Sequence, residues 1–348
     1  MKIYAHDPSP ALQSALKATL PHSIALAYRI QHPNRTPDAH ILATFPASTS
    51  EGEVPRCWAA AYLDRSMRPE TELWIFTPGE IPSHHESSEK EQRSIFCPDC
   101  KIAVLALTDY MSTLPIPPLH PENFPAVDLA RQHERDFPHP GTDGRYPSGP
   151  GLYMRHLLQE HVISLGGCHV GVVQILSEAG LVCTEYAEHG TDLNKFWFRV
   201  ADLPPARDLP KELYWGEMRE EDLAIVQART PIPRTTKTLL SLKSVGVFER
   251  ENGRPVASTF LGLDGSLTAL HTEPEWRGKG IAKAVAIRIL REHAPALAVD
   301  EKGNAWAHAD VYVGNVQSES VCRSLGGKAG ARILWVRIDL GKAGSLAM

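Results

Sequence analysis

The stretch 267–290, LTALHTEPEWRGKGIAKAVAIRIL, constrains this chain more than any other. Leu267–Thr272 is an apolar-rich run of strand length, and Pro274 ends it because proline has no amide to give to a sheet ladder. From Ile281 onward apolar residues return every fourth position (Ile281, Val285, Ile289), which predicts a helix. Between the two lie Gly278 and Gly280, interleaved with Arg277 and Lys279. A strand, a glycine-rich turn and a helix N-terminus together present a row of backbone N–H groups to a phosphate. The glycines let the backbone approach closely, and the two basic residues add positive charge. The alternative reading is a basic surface turn ahead of an ordinary helix.

A second segment, 307–327 (AHADVYVGNVQSESVCRSLGG), has related organisation. Alternating Val311 and Val313 predict a strand. Asn315 is a good helix N-cap and places Ser318 at the third helical position. Val321, Cys322 and Leu325 form one apolar face, and Gly326-Gly327 end the helix.

With both segments in hand a family resemblance emerges. Arg277-x-x-Gly280-x-Ala282 resembles the acyl-CoA signature of the GCN5-related N-acyltransferases, Gln/Arg-x-x-Gly-x-Gly/Ala, which follows a central strand in that family. Pro274–Gly280 looks most like the glycine N-acyltransferase branch. Asn315 to Gly327 resembles the family's last motif, Asn-x-x-Ser/Ala-x-x-x-Tyr-x-x-x-Gly-Phe, with Cys322 in place of the tyrosine and Gly327 in place of the phenylalanine. The resemblance implies an α/β fold with a mixed sheet (α+β in character). It implies acyl-CoA as co-substrate, acetyl-CoA by default and longer acyl chains admitted by the glycine-acyltransferase likeness. The cofactor contacts implied are Leu270, His271, Thr272, Arg277, Gly278, Lys279, Gly280, Ile281, Ala282, Lys283, Asn315 and Ser318. Asn315 serves as a helix cap in any case.

N-acyl transfer from a thioester requires the pyrophosphate to be held, the carbonyl polarised and a neutral amine delivered. A backbone N–H near Leu270–Thr272 is a candidate oxyanion donor if the strand diverges from its neighbour, for which a bulge is the usual device. The family's glutamate base falls on Ser266, which cannot be a base unaided. Asp264 lies two residues away with the same parity and is a candidate acting through water; its alternative is to make the Asp-Gly turn. His271 has the opposite parity but suitable basicity. Cys322 is a candidate proton donor to the leaving thiolate, or simply core. His308 and Asp310, alternate residues of one strand, are a candidate acid/base or substrate-binding pair, against packing. Trp215, Arg234 and Trp306 are candidates for an acceptor pocket against the N-terminal half, each with a structural alternative. Family members also work with no dedicated base, relying on orientation and on deprotonation of the amine in solution.

The chain has 348 residues, long for one core, and two domains are expected. The expected division is 1–205, a degenerate copy of the acyltransferase fold, and 206–348, the acyl-CoA-binding domain, with the proline-rich stretch 201–210 as linker. A net charge of −5 argues against a nucleic-acid partner. No run of 18 apolar residues exists to span a membrane, and MKIYAHDPSP lacks the apolar core of a signal peptide. A cytoplasmic N-acyltransferase acting on a small amine or amino acid is the expectation. The alternatives are a non-catalytic acyl-CoA sensor or scaffold that lost its glutamate and tyrosine, and acyl transfer to oxygen on the same scaffold.

The six cysteines form no secreted-type framework. Cys97-Pro98-Asp99-Cys100 is a lone Cys-x-x-Cys with His84 and His85 upstream; a zinc site needs a second pair or paired histidines, so two loop cysteines and no metal are expected. Elsewhere, 10–20, 152–163, 220–228 and 234–242 are predicted helical. The runs 1–5, 24–30, 40–45, 58–63, 73–76, 101–107, 170–176, 181–186, 196–200, 244–248, 255–261 and 266–272 are predicted strands. Residues 80–95 and the proline- and glycine-dense 113–150 are expected at the surface.

Overall fold

The structure is a computed structural model of the 348-residue chain, and it describes all residues except 51, 86–95, 187–191, 230–233, 295–297 and 348. Twelve strands are described, and the same order of elements runs through the chain twice. The first pass is β1 (Tyr4–Ala5), α1 (Pro10–Ala18), α2 (Ile24–Gln31), β2 (His40–Ala43), β3 (Ala60–Leu63), β4 (Leu73–Phe76), α3 (Pro98–Ser112), α4 (Phe124–Asp136), β5 (Val162–His169), α5 (Val170–Glu178) and β6 (Leu193–Arg199). The second is β7 (Leu213–Gly216), α6 (Leu223–Ala228), α7 (Thr236–Ser241), β8 (Ser244–Glu249), β9 (Pro255–Leu261), β10 (Leu267–Thr272), α8 (Ile281–His293), β11 (Trp306–Tyr312), α9 (Val316–Ser324) and β12 (Lys328–Asp339). Apart from the extra α4, the two passes match element for element. The mixed α/β architecture and the tandem repeat both follow.

The compact units do not coincide with the two passes. The first unit comprises Met1–Leu26, Arg35–Asp192 and Arg332–Met348; the second comprises Ala27–Asn34 and Leu193–Ala331. The chain passes between the units at 26/27, 34/35, 192/193 and 331/332, and its last segment belongs to the first unit. Strand pairing gives the reason. β6, the last strand of the first pass, pairs with β11 of the second over seven residue pairs from Trp306/Arg199 to Tyr312/Leu193. β12, the last strand of the second pass, pairs antiparallel with β5 of the first. Each unit is completed by a strand from the other half of the sequence.

In the first unit β1 to β5 and β12 lie in that order, antiparallel except for the parallel β4/β5 pair. Helices α3 and α5 supply Val104, Leu107, Val172 and Leu176 to its core, opposite Leu63, Leu165 and Val336. Three runs expected as strands (24–30, 101–107 and 170–176) are helices α2, α3 and α5. Each is a short apolar run buried on most sides, so alternation is absent and periodicity alone does not separate the two states. The expected helix 152–163 is a 3-10 turn, Leu152–Leu158, leading into β5, and 181–186 contributes only a single bridge at Val182. Helix α4 lies within the stretch expected at the surface, and only Ala130 and His133 of it are buried.

In the second unit β7, β8, β9 and β10 form an antiparallel sheet with β10 at its edge. Helix α8 packs across it with Ile281, Val285 and Ile289 each at most 2% exposed. Burying one such side chain stabilises the fold by about 1.5–3 kcal/mol, so this stripe fixes the helix on the sheet. No described helix is long and apolar enough to cross a membrane.

Candidate active site

Ser266, just ahead of β10, makes one parallel bridge to His308 of β11, and among the described residues β10 itself has no strand partner on that side. Alternate N–H groups of an edge strand point away from its neighbour, so β10 offers free donors where it leaves β11. Its own pairing with β9 is irregular as well: the register shifts between Thr268 and His271, and Ala269 sits at φ 50°. A non-glycine residue in the left-handed region is held there at a cost of about 1–2 kcal/mol. The bulge expected near Leu270–Thr272 is therefore present and shifts the strand's facing pattern at its centre.

After β10 a short 3-10 turn, Pro274–Trp276, leads into the glycine turn. Gly278 and Gly280 lie at φ 75° and 83°, conformations that demand glycine. Gly280 is the N-cap of the thirteen-residue α8 and brings no side chain to cap it. By helix geometry the amides of Ile281, Ala282 and Lys283 have no intrahelical acceptor, and they lie at the positive end of the helix dipole. Arg277 Nε donates to the carbonyl of Thr272 at 2.9 Å and ties the turn to the end of the strand. The Lys279 ammonium rests 4.2 Å from the centre of the Trp276 ring.

Leu270, His271, Thr272, Arg277, Gly278, Gly280, Ile281, Ala282, Lys283 and Ser318 line one cleft of about 430 Å3. Ten of the twelve residues expected to contact the cofactor are thus gathered together. Lys279 and Asn315 do not line it. Asn315 caps α9 instead, accepting from the amide of Ser318 at 3.1 Å. Trp276, Gln317 and Val321 line the cleft without having been singled out by the sequence motifs. Arg207 was missed too: a Cβ placed on Gly280 would sit 3.4 Å from its Cδ, so its side chain lies against the turn. Nothing in the local sequence around Arg207 signals this.

A second, smaller cavity of about 70 Å3 shares Leu270 and His271 with the cleft and is otherwise lined by Met218, by residues of α6 and its C-cap Arg229, by β9, and by Ala269 and Glu273. His271 Nε2 is buried and makes no hydrogen bond among the described residues. It lies 3.6 Å from Glu273 Oε1, and the same carboxylate oxygen accepts from Arg229 at 2.8 Å. Burial, with Arg229 and Arg277 adding to it, holds the His271 imidazole below its ordinary value against the opposing pull of Glu273. Burial pushes the Glu273 carboxyl up, but Arg229 overrides this and holds it below the usual carboxylate range. The result is a neutral imidazole beside a fixed carboxylate. It can accept a proton, and the imidazolium formed has an anion at hand. Glu273 and Arg229 were not singled out in the sequence; the shared parity of 271 and 273 at a strand end was the available signal for the first.

The remaining catalytic candidates line neither cavity. Ser266 donates its hydroxyl to Asp264 Oδ1 at 2.6 Å and its amide to the same oxygen at 3.1 Å, so the pair closes the turn between β9 and β10. His308 is fully buried, with Nε2 2.8 Å from the Asp264 carbonyl and Nδ1 3.2 Å from Lys195 Nζ. Lys195 also donates to Asp310 at 2.8 Å. Burial raises the Asp310 carboxyl, but Lys195 and His308 outweigh it and keep it below its ordinary value. His308 and Asp310 do share a neighbourhood, as expected, but it is an internal ion pair. Cys322 is 3% exposed and packs in the core of the unit; burial first, then Asp310 and Glu319, push its thiol up to about 12. Of the acceptor-pocket candidates, Arg234 donates to Thr268 Oγ1, the Trp306 indole to Asp300, and Trp215 stacks under Arg288.

A strand bulged and splayed from its neighbour, followed by a glycine turn and an uncapped helix, defines a GCN5-related N-acyltransferase fold. The chain belongs to the family described as the acyl-CoA N-acyltransferase verG N-terminal domain, which matches residues 1–197. GCN5-related N-acyltransferases as a group use acyl-CoA as co-substrate. Among solved structures, a Drosophila protein from a structural genomics programme aligns with a TM-score of 0.57 at 12% identity, covering 97% of this chain and 98% of its own. A tandem protein of the same superfamily from the clavulanic acid biosynthesis pathway aligns at 10% identity over 98% of both chains, TM-score 0.47. A GCN5-related N-acetyltransferase from Sphaerobacter thermophilus aligns at 11% identity over 97% of this chain and 96% of its own, TM-score 0.43. No curated protein matches the sequence.

Proposed function

We propose that the chain transfers an acyl group, acetyl by default, from acyl-CoA to the nitrogen of a small amine or amino acid, in the manner of the glycine N-acyltransferase branch. The observation that carries this is the shared wall of the two cavities at Leu270 and His271. In the larger cleft the pyrophosphate lies on the amides of Ile281, Ala282 and Lys283, with Arg207 and Arg277 beside it. The acyl carbonyl reaches the bulged edge of β10, where a backbone N–H stabilises the developing oxyanion. The amine occupies the smaller cavity and attacks the thioester carbon. His271 Nε2 takes the ammonium proton of the nascent amide, with Glu273 stabilising the imidazolium, and the C–S bond breaks to release CoA. Cys322 takes no part; the thiolate leaves toward solvent and is protonated there.

The hydrogen bonding of Asp264 and Ser266 into a turn and the packing of Cys322 in the core favour a second reading, a non-catalytic acyl-CoA sensor. Calorimetric titration with CoA, acetyl-CoA and longer acyl-CoAs, followed by thiol release with a panel of small amines, separates the two. Binding with amine-dependent CoA release and an amide product by mass supports the enzyme. Binding without turnover across the panel supports the sensor, and an ester product supports transfer to oxygen. No binding to any of them overturns both readings.

A further inference from the structure

A second constellation lies in the first unit, away from the cleft. The sequence offered the Cys97-x-x-Cys100 pair, expected in a loop, with His84 and His85 upstream. The structure instead sets Cys97 at the N-cap of α3, Pro98 at its first position and Cys100 in its first turn. One helical turn thus points both sulfurs the same way. Two further groups join them from distant positions: Cys57, just ahead of β3, and His84, in the 3-10 turn Pro82–His85.

The four ligand atoms all lie within 4.8 Å of one another. His84 Nε2 is 3.4 Å from Cys57 Sγ, 3.4 Å from Cys100 Sγ and 4.0 Å from Cys97 Sγ, and the Cys57 and Cys97 sulfurs are 3.4 Å apart. Bond lengths of about 2.3 Å to sulfur and about 2.0 Å to nitrogen put tetrahedral ligand atoms about 3.5–3.8 Å apart. The observed separations bracket that value. Three thiols and an imidazole nitrogen converging on one point is more than a disulfide needs, and all six cysteines are free.

We infer that Cys57, His84, Cys97 and Cys100 form a Cys3His site for a structural zinc ion. Soft sulfur ligands with one imidazole select zinc over the hard divalent cations, and four protein ligands close the tetrahedron with no open position for a substrate. Binding deprotonates the three thiols, releasing three protons and leaving a complex of net charge −1. The ion joins the approach to β3, the turn after β4 and the start of α3. Its contribution is to hold α3, whose Val104 and Leu107 fill the core, at the right end of the sheet.

Two measurements on the full chain, made without a histidine tag, test the site. Elemental analysis after purification under reducing conditions is expected to give one zinc per chain. Cobalt titration of the chelator-stripped protein is expected to give the strong visible bands of tetrahedral cobalt, with thiolate-to-cobalt charge transfer in the near ultraviolet, both erased by zinc. His84→Ala and Cys97→Ser are expected to lose this stoichiometric spectrum, whereas Cys183→Ser keeps it. If the wild-type chain carries no zinc and gives only the weak spectrum of octahedral cobalt, the inference fails, whatever the variants do. A count of two fewer free thiols than six in protein denatured without reductant also overturns it, in favour of a redox-active disulfide.

Discussion

Replacing Gly280 by aspartate tests the glycine turn most directly, because two separable effects meet at that position. The first is backbone strain. Gly280 sits at φ 83°, so any L residue there costs about 1–2 kcal/mol, which appears as lost stability. The second is charge. A carboxylate about 5 Å from a pyrophosphate charge, at an effective dielectric of about 20, is repelled by about 3 kcal/mol, roughly 100-fold in affinity. Arg207 moderates this, since its NH1 lies 3.9 Å from where the Cβ would sit and can pair with the new carboxylate. The expected loss of CoA affinity in Gly280→Asp is thus about 10- to 100-fold. Gly280→Ala carries the same strain without the charge and is expected to bind CoA within about threefold of wild type while melting lower. Calorimetric titration with CoA, beside thermal melts of all three proteins, reads both effects. A folded Gly280→Asp variant that binds CoA as tightly as wild type would refute the placement of the pyrophosphate on α8. Equal loss in both variants would mean that backbone geometry, and not charge, governs the site.

The other predictions concern the residues around the site. His271→Gln is expected to lower kcat by about 100-fold with little change in affinity for acyl-CoA. Because burial depresses this imidazole, the wild-type rate should hold until the pH falls below about 6.5 and then decline as His271 is protonated; a variant that keeps both the rate and that acidic limb would remove His271 as the base. Cys322→Ala should leave turnover within about twofold at neutral pH and cost about 1 kcal/mol of stability in urea unfolding, since its thiol is buried and stays protonated; a drop in kcat at unchanged stability would return it to the chemistry. Lys195→Met strands the buried Asp310 carboxylate and should destabilise the fold by about 3–5 kcal/mol, with Lys195→Met/Asp310→Leu recovering most of it. Asp310 is depressed in the folded state, so the stability contributed by this pair is present above about pH 4 and is lost as the pH falls through its folded-state pKa; urea titrations showing no such loss on acidification would contradict the pairing.

What the sequence determined by itself is the chemistry written within a few consecutive residues. Pro274 stops β10, Gly278 and Gly280 supply the left-handed turn, Asn315 caps α9, and Asp264 with Gly265 closes a hairpin; each is fixed by backbone dihedrals and local hydrogen bonds. Those signals sufficed for the acyltransferase fold and for ten of the residues lining the cleft. Where a short run is mostly apolar and buried on most sides, as in 24–30, 101–107 and 170–176, strand and helix bury much the same residues, and only the surrounding packing chose the helix. Tertiary structure alone decided which side chains met across long stretches of chain. It set Arg229 beside the Glu273–His271 pair, drew Lys195 to Asp310, and brought Cys57 and His84 to the Cys97–Cys100 turn. It also exchanged β6 and β12 between the two repeats, so that the compact units cut across the sequence halves. Such meetings are set by the closure of long loops and by which sheet edges remain to be paired, and no spacing along the chain records either.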